Sequence, residues 1–475
     1  MRRIVLILAL LAAAFAGVLE YRRNLRPSAM APLEFRLGPP EAFPGLTPLE
    51  RRGFGVLFKD CLEYRTGLAV VEGESVLPGG PRNALTVALD RRGGKVVLHL
   101  ALERAGRAGR AGDVAAGTPA EAVGAALAWL GLEDRARGLL LPRDPAFFWD
   151  LARMTASRPI GSIEDDLRAC ALILEREPGC AGVWLARARL LNNHILDDNR
   201  APAPLQDQCE QDFLTALGLA PDFPRASTLF GRFRTEIGNP RAALDLLLDA
   251  IRRNPRVPRL YEAVAYAARS AGLLEGASRA LARRDALSGP SRGEAEITEN
   301  TYLYLGQLDR FETVLGPEST EGPDTLRDFY RGYARLLRGD RSGAAHHFHR
   351  AESTPGGNRA FMDLAGVYRL GLAGRRDEAL AELRRVWAER IPIRIPDGEF
   401  TFKLAEAFGF LGSPDEAQDV ANRAFAQGFG CLRWYEQSPF LAGARGTPRW
   451  TALHQHLEER LALMEAAYPR RRFPF

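Results

Sequence analysis

Only three of the 64 basic residues in this 475-residue chain are lysines, Lys59, Lys95 and Lys403. With 46 glycines and 31 prolines, that bias reads as the coding composition of a GC-rich bacterial genome rather than a nucleic-acid surface. Net charge is only +5, and no long basic run or aromatic-interleaved basic motif is present, so nucleic-acid binding is not expected. Cysteine is scarce as well. Cys61, Cys170, Cys180, Cys209 and Cys431 show no metal-ligand spacing, and their odd number leaves one thiol unpaired in a monomer. Cys170 and Cys209 fall where small buried helix residues belong, so core packing is expected; a Cys170–Cys180 bridge across a turn stays open for an oxidising compartment. No zincin motif, nucleophile elbow, kinase set or Walker spacing occurs, and Arg92-Gly93-Gly94-Lys95 and Pro78-Gly79-Gly80-Pro81 read as turns. His346 and His349 share a helix face, but no carboxylate stands at motif spacing to complete a metal site. The chain is therefore read as non-enzymatic, with no cofactor and no metal.

Long apolar runs are absent but for one. Ile4–Leu19 is uncharged, follows Arg2 and Arg3, and carries Ala14-Phe15-Ala16, which suits cleavage before Gly17. Arg22, Arg23 and Arg26 follow the run, so charge does not fix its orientation. Segment 1–30 is expected to be a signal peptide or membrane anchor, placing the protein in the cell envelope, inner-membrane anchored or periplasmic. A cytoplasmic-facing topology stays open. No cysteine follows the run, which argues against a lipoprotein anchor of the usual form.

Residues 33–132 read as a small α/β domain. Leu33–Leu37 alternates as a strand, and Thr47-Pro48-Leu49-Glu50 is a capping box opening a helix through about Tyr64. Leu68–Glu72 follows as a strand. Ala84–Leu89 and Lys95–Leu102 form a hairpin across Asp90–Gly94, and Thr118-Pro119-Ala120-Glu121 opens a second helix to Leu130. The predicted order is β-α-β-β-β-α, a sheet with helices on one face.

Beyond it, Gly238, Gly272, Gly306, Gly339, Gly374 and Gly412 recur at intervals of 34, 34, 33, 35 and 38 residues. Ala243, Ala277, Ala344, Ala379 and Ala417 stand five positions after five of them, Phe311 breaking the rule. Leu247, Leu281, Phe348, Leu383 and Ala421 follow at plus nine. Each glycine suits a left-handed turn ending one helix, and each alanine a close crossing on the next. Asn239-Pro240 and Ser413-Pro414-Asp415-Glu416 supply start signals, the second with an acid placed for a capping box.

A period of this length marks stacked helix pairs. The pattern resembles the tetratricopeptide repeat, a 34-residue helix–turn–helix unit. Likeness is best over 224–257 through Phe230, Gly231, Gly238, Ala243, Leu247, Ala250 and Pro255, and continues over 258–291, where Arg284 and Gly289 depart from it. Phe213, Ala216 and Pro221 close an earlier unit, split by an insertion around Asp197–Gln206. The unit near 292–323 is degenerate and that near 359–392 loose. The resemblance covers about 145–428. It implies a mainly α fold: a TPR-like α-α superhelical solenoid, preceded by the α/β domain and an N-terminal hydrophobic helix, and closed by a helical cap over 429–475. The 33–132 domain is distantly similar to the small domain before the repeats of some bacterial envelope and cyclase-associated repeat proteins. The closing strings Cys431–Glu436, Ser438–Leu441 and Arg445–Trp450 resemble the tails of bacterial repeat proteins attached to signalling domains.

In that family the first helix of each unit lines a concave groove. The corresponding positions here are Arg225, Thr228, Arg232 and Thr235, then Arg259, Glu262, Tyr266 and Arg269. Arg225, Arg232, Arg259, Tyr266 and Arg269 are the groove candidates, suited to an acidic peptide segment or a free carboxylate because guanidinium forks bind carboxylates bidentately. The resemblance thus implies a protein–protein interaction scaffold of the bacterial envelope with a protein partner. The alternative is an envelope hydrolase or glycan-binding factor with its site in the α/β module and the repeats for recruitment.

Overall fold

The computed structural model describes residues 32–64, 66–72, 83–104, 107–156, 163–197, 203–288, 300–316, 324–392, 395–473 and 475. The expected signal or anchor segment 1–30 lies outside them, as does the turn at 78–81. No helix among the described residues is long and apolar enough to cross a membrane.

Among its described residues the module contains five strands, one more than expected: β1 (Leu33–Leu37), β2 (Val70–Glu72), β3 (Asn83–Arg92), β4 (Lys95–Arg104) and β5 (Arg107–Ala116), ordered β2-β1-β3-β4-β5. β1 runs parallel to β2 and β3, while β3, β4 and β5 are antiparallel. The missed strand, β5, has the sequence RAGRAGDVAA, with Val114 its one β-branched residue. Propensity therefore argues against it, and pairing with β4 makes it. Trp129 packs over Gly112, and the Arg110 guanidinium lies 4.0 Å from the Trp129 ring.

Both threonine capping boxes of the module form as the sequence requires. Thr47 Oγ1 accepts from the Glu50 N–H at 3.2 Å, and Glu50 Oε2 accepts from the Thr47 N–H at 2.8 Å, opening helix Pro48–Glu63. Thr118 and Glu121 repeat the arrangement before Pro119–Trp129. Thr47→Ala is expected to cost about 1 kcal/mol, read from the shift in urea midpoint; no shift would show the box to be idle.

Among the described residues, six long helix pairs stack along the rest of the chain, each partner packed on the next: Ala181–Asp197 with Ala203–Leu219, Pro224–Glu236 with Pro240–Arg253, Pro258–Ser270 with Leu274–Ser288, Thr325–Leu337 with Arg341–Glu352, Arg359–Leu372 with Arg376–Arg390, and Gly398–Phe410 with Pro414–Ala426. All six repeat glycines have φ between 72° and 89°, where an L side chain is strained. The five crossing alanines are fully buried. The degenerate unit has shrunk to Asn300–Tyr304 and Leu308–Leu315, with Phe311 buried where the others carry alanine. One start signal does not form as expected: Ser413 makes no side-chain cap, because its hydroxyl donates to Glu416 Oε2 at 2.5 Å instead.

The module and the first helices share one hydrophobic cluster running from Leu33 to Phe233. Phe54 lies 6.4 Å from Phe148, and a Cβ on Gly53 would come 1.7 Å from the Ala152 carbonyl oxygen. A second cluster runs from Ala243 to Phe473. The C-terminal end does more than cap the stack: it returns to the early repeats. The Gly430 N–H donates to Ser270 O at 2.7 Å, the Asp397 N–H to Glu236 O at 3.1 Å and the Tyr468 hydroxyl to Arg241 O at 2.9 Å. Phe475 lies edge-on to Tyr261, ring centroids 5.0 Å apart.

Candidate functional site

The module and the returning C-terminal helices together fill the inner wall with the chain's own side chains. At its N-terminal end, the last turn of Pro48–Glu63 brings Asp60 and Glu63 against two wall arginines. Asp60 is 3.2 Å from Arg225 and 3.3 Å from Arg259, and Glu63 is 2.7 Å from Arg259. Two carboxylates at a helix C-terminus oppose its dipole, so the arginines are what make this placement tolerable. Burial pushes the Glu63 carboxyl up, and Arg259 partly offsets that.

Arg232 is the most exposed of the five groove candidates and stands 3.9 Å from Glu262. Glu262 is also 4.0 Å from Arg284, the residue that departs from the repeat pattern; Arg284 is buried and bound to Asp285 at 2.7 Å. Thr228 and Thr235 are buried, the latter donating to Gly231 O at 2.9 Å. Arg269 is fully buried and bonds Glu399 at 2.7 Å from Nη2 and 3.2 Å from Nε. Tyr266 is buried beneath the Arg269 guanidinium, 5.0 Å from ring to cation. The structure thus supplies carboxylates of this chain to Arg225, Arg259 and Arg269.

The wall continues into a polar core that the sequence did not reveal. Glu399 Oε1 accepts from Asn300 Nδ2 at 2.8 Å and from the Tyr304 hydroxyl at 2.7 Å. About one and two turns further on, Lys403 and Glu406 are completely buried and 2.8 Å apart. Glu406 Oε1 accepts from the Tyr333 hydroxyl at 2.7 Å, Trp434 Nε1 at 2.9 Å and Ser438 Oγ at 2.6 Å. The Lys403 ammonium sits 4.1 Å from the Tyr333 ring centroid, 5.1 Å from Tyr304 and 5.7 Å from Trp434, within cation–π reach of all three. Glu399, Lys403 and Glu406 share a helix face, but a run reading EFTFKLAE does not distinguish a buried charged face from a wet one.

An open groove of about 630 Å³ lies on the loose unit. Its apolar lining is Met362, Gly366, Leu370 and the exposed Ala381, with carboxylates and guanidiniums beside them. Asp363 holds Arg359 and Arg385, each at 3.1 Å; Glu382 accepts from Arg385 Nε at 3.0 Å; Glu352 accepts from Arg369 Nη2 at 3.1 Å. Counted back from Gly374, the groove positions of the better units fall on Phe361, Leu364, Tyr368 and Gly371, none of which lines this groove.

The histidine cluster divides. His346 and His349 are exposed, whereas His347 is buried with Nδ1 3.5 Å from Asp328. Among the described residues no cluster could hold a metal ion. All five cysteines are buried free thiols, and burial pushes the Cys170, Cys180 and Cys431 thiols up to about 12.

No protein-family profile matches the chain, and no curated protein does. Among solved structures, a chain of the APC/C hetero-tetramer Cut9-Hcn1 is similar at 12% identity and a TM-score of 0.35. The match covers 66% of this chain and 63% of that one, so this chain spans less than two thirds of its length. The fold is defined by its stacked helix pairs, five of the six joined through a glycine turn.

Proposed function

We propose that this protein is a non-enzymatic scaffold of the bacterial cell envelope that binds a partner protein through its helical repeats, with the groove on 359–392 as the contact. The observation that carries the reading is the open, partly apolar groove between Arg359–Leu372 and Arg376–Arg390. Its lining charges are already paired, so a side chain entering between them would gain apolar burial without stranding a charge. Met362 in the lining adapts to differently shaped occupants. An acidic segment of the same partner would meet Arg232 first, because it is the most exposed of the wall arginines.

The test is affinity capture of tagged full-length protein from gently solubilised native membranes, beside Ala381→Trp, which fills the groove from an exposed position. A stoichiometric envelope partner lost in Ala381→Trp, with the unfolding midpoint unchanged, is the expected result. Recovery of the protein alone after crosslinking, or equal capture by the variant, would overturn the reading.

One observation favours the hydrolase or glycan-binding alternative. On the sheet face away from the module's core, His99 Nδ1 lies 2.7 Å from Asp113 Oδ1, an arrangement that would orient the ring as a base. Because helix Pro48–Glu63 shares its core with Pro145–Ala156, the alternative is tested in the whole chain, as loss of glycan binding or hydrolysis in His99→Ala.

A further inference from the structure

The closure of the chain on itself crosses an unusual joint. Glu236 is the last residue of Pro224–Glu236, so its carboxylate stands at the negative end of that helix. Its main-chain oxygen accepts the Asp397 N–H at 3.1 Å, which brings a second carboxyl to the same place. Glu236 Oε2 is buried with no hydrogen-bond partner. Asp397 is the one non-glycine among the described residues with positive φ, 44°. It caps Gly398–Phe410, accepting from the Phe400 N–H at 3.2 Å, and so sits at the positive end of its own helix.

The two carboxyls are therefore unequal: Asp397 has a backbone donor and a favourable dipole, whereas Glu236 faces an unfavourable dipole with Oε2 buried and unbonded. The groups facing Glu236 are Arg232 on its own helix, Tyr266 on Pro258–Ser270, Asp397 before Gly398–Phe410, and the Cys209 thiol of Ala203–Leu219, while Glu399 faces Asp397 and Tyr266. Arg269 and Arg390 face Asp397. Arg269 is engaged with Glu399, and Arg390 donates to Pro396 O at 3.1 Å. Burial first, then Asp397, pushes the Glu236 carboxyl up to about 8, with Arg232 pulling the other way.

We propose that Glu236 and Asp397 form a pH-sensitive clasp, which seats the C-terminal helix pairs on the early repeats while Glu236 is neutral and loosens as Glu236 ionises. A carboxyl held above its solvated value stabilises the closed form fully below about pH 4.3, the ordinary glutamate value. That contribution falls as pH rises through the closed-form value near 8. Between those limits the opening constant rises about tenfold per pH unit. Opening bares Tyr266 and Arg269, the two most deeply buried of the groove candidates.

Hydrogen exchange on the full-length protein tests this at the Asp397 and Gly430 amides, which bond Glu236 O and Ser270 O across the joint. After correction for intrinsic exchange, protection is expected to fall by about 50-fold between pH 6 and pH 8. In Glu236→Gln it should stay constant over that range. Asp397→Asn keeps the cap and tolerates positive φ, and should shrink the pH dependence; it decides the matter should Glu236→Gln fail to fold. Protection unchanged in the wild type, or falling equally in the variants, would overturn the clasp.

Discussion

Glu406→Leu is expected to lower the unfolding free energy by about 3–5 kcal/mol, one of the two largest single-site effects foreseen for this protein. The substitution leaves the Lys403 ammonium buried without its counterion, held only by the faces of Tyr304, Tyr333 and Trp434. It also removes the acceptor for Tyr333, Trp434 and Ser438 together, and each buried donor left unmatched adds its own desolvation cost. Lys403→Met should cost less, because the carboxylate keeps those three donors. Lys403→Met combined with Glu406→Leu should recover part of the loss by removing the stranded charge. Urea midpoints of the four proteins check this. A Glu406→Leu protein within 1 kcal/mol of wild type, or a double variant no better than the single, would show the pair to be solvated.

The second large effect separates glycines that the sequence presents as equivalent. Gly339 has φ 79°, and a Cβ there would meet nothing within 4 Å. Gly339→Ala should therefore show only left-handed strain, about 1–2 kcal/mol. Gly238 has φ 89°, and its Cβ would stand 2.9 Å from the Gln427 carbonyl oxygen; at Gly272 the Gly430 oxygen would be 2.6 Å away. At Gly238 and Gly272 an overpacking cost of about 1–3 kcal/mol adds to the strain. These glycines both end a helix and admit the returning backbone. Midpoints measured for Gly238→Ala, Gly272→Ala and Gly339→Ala should rank accordingly, and equal losses would mean that the turn is their whole role.

How far the candidate site could be read in advance follows from where its partners lie. Arg225, Arg232, Arg259, Tyr266 and Arg269 fall on first helices, as the repeat positions imply. What they face could not be read. Arg269 meets Glu399 across 130 positions and Arg259 meets Asp60 across 199, and nothing local in either stretch records the other. The same holds for Lys403: a buried lysine and an exposed one look alike on an amphipathic helix until three aromatic faces are known to surround it. The polar lining of the 359–392 groove is likewise assembled from three helices.

The sequence by itself determined the period, the glycine turns with their left-handed backbone, the buried crossing alanines, and the caps at Thr47, Thr118 and Asn239. These rest on interactions within about one helical turn, and residue type alone decides them. Tertiary structure decided the rest. It made a strand of Arg107–Ala116 against its propensity, and merged the α/β module with the first helices into one core. It also folded the C-terminal helices back to bring Glu399 to Arg269, and set Asp60 and Glu63 of the module against Arg225 and Arg259, so that the chain's own carboxylates occupy most of the inner-wall arginines. Those outcomes depend on which distant surfaces meet, and burial and charge pairing across that meeting are properties of the whole fold.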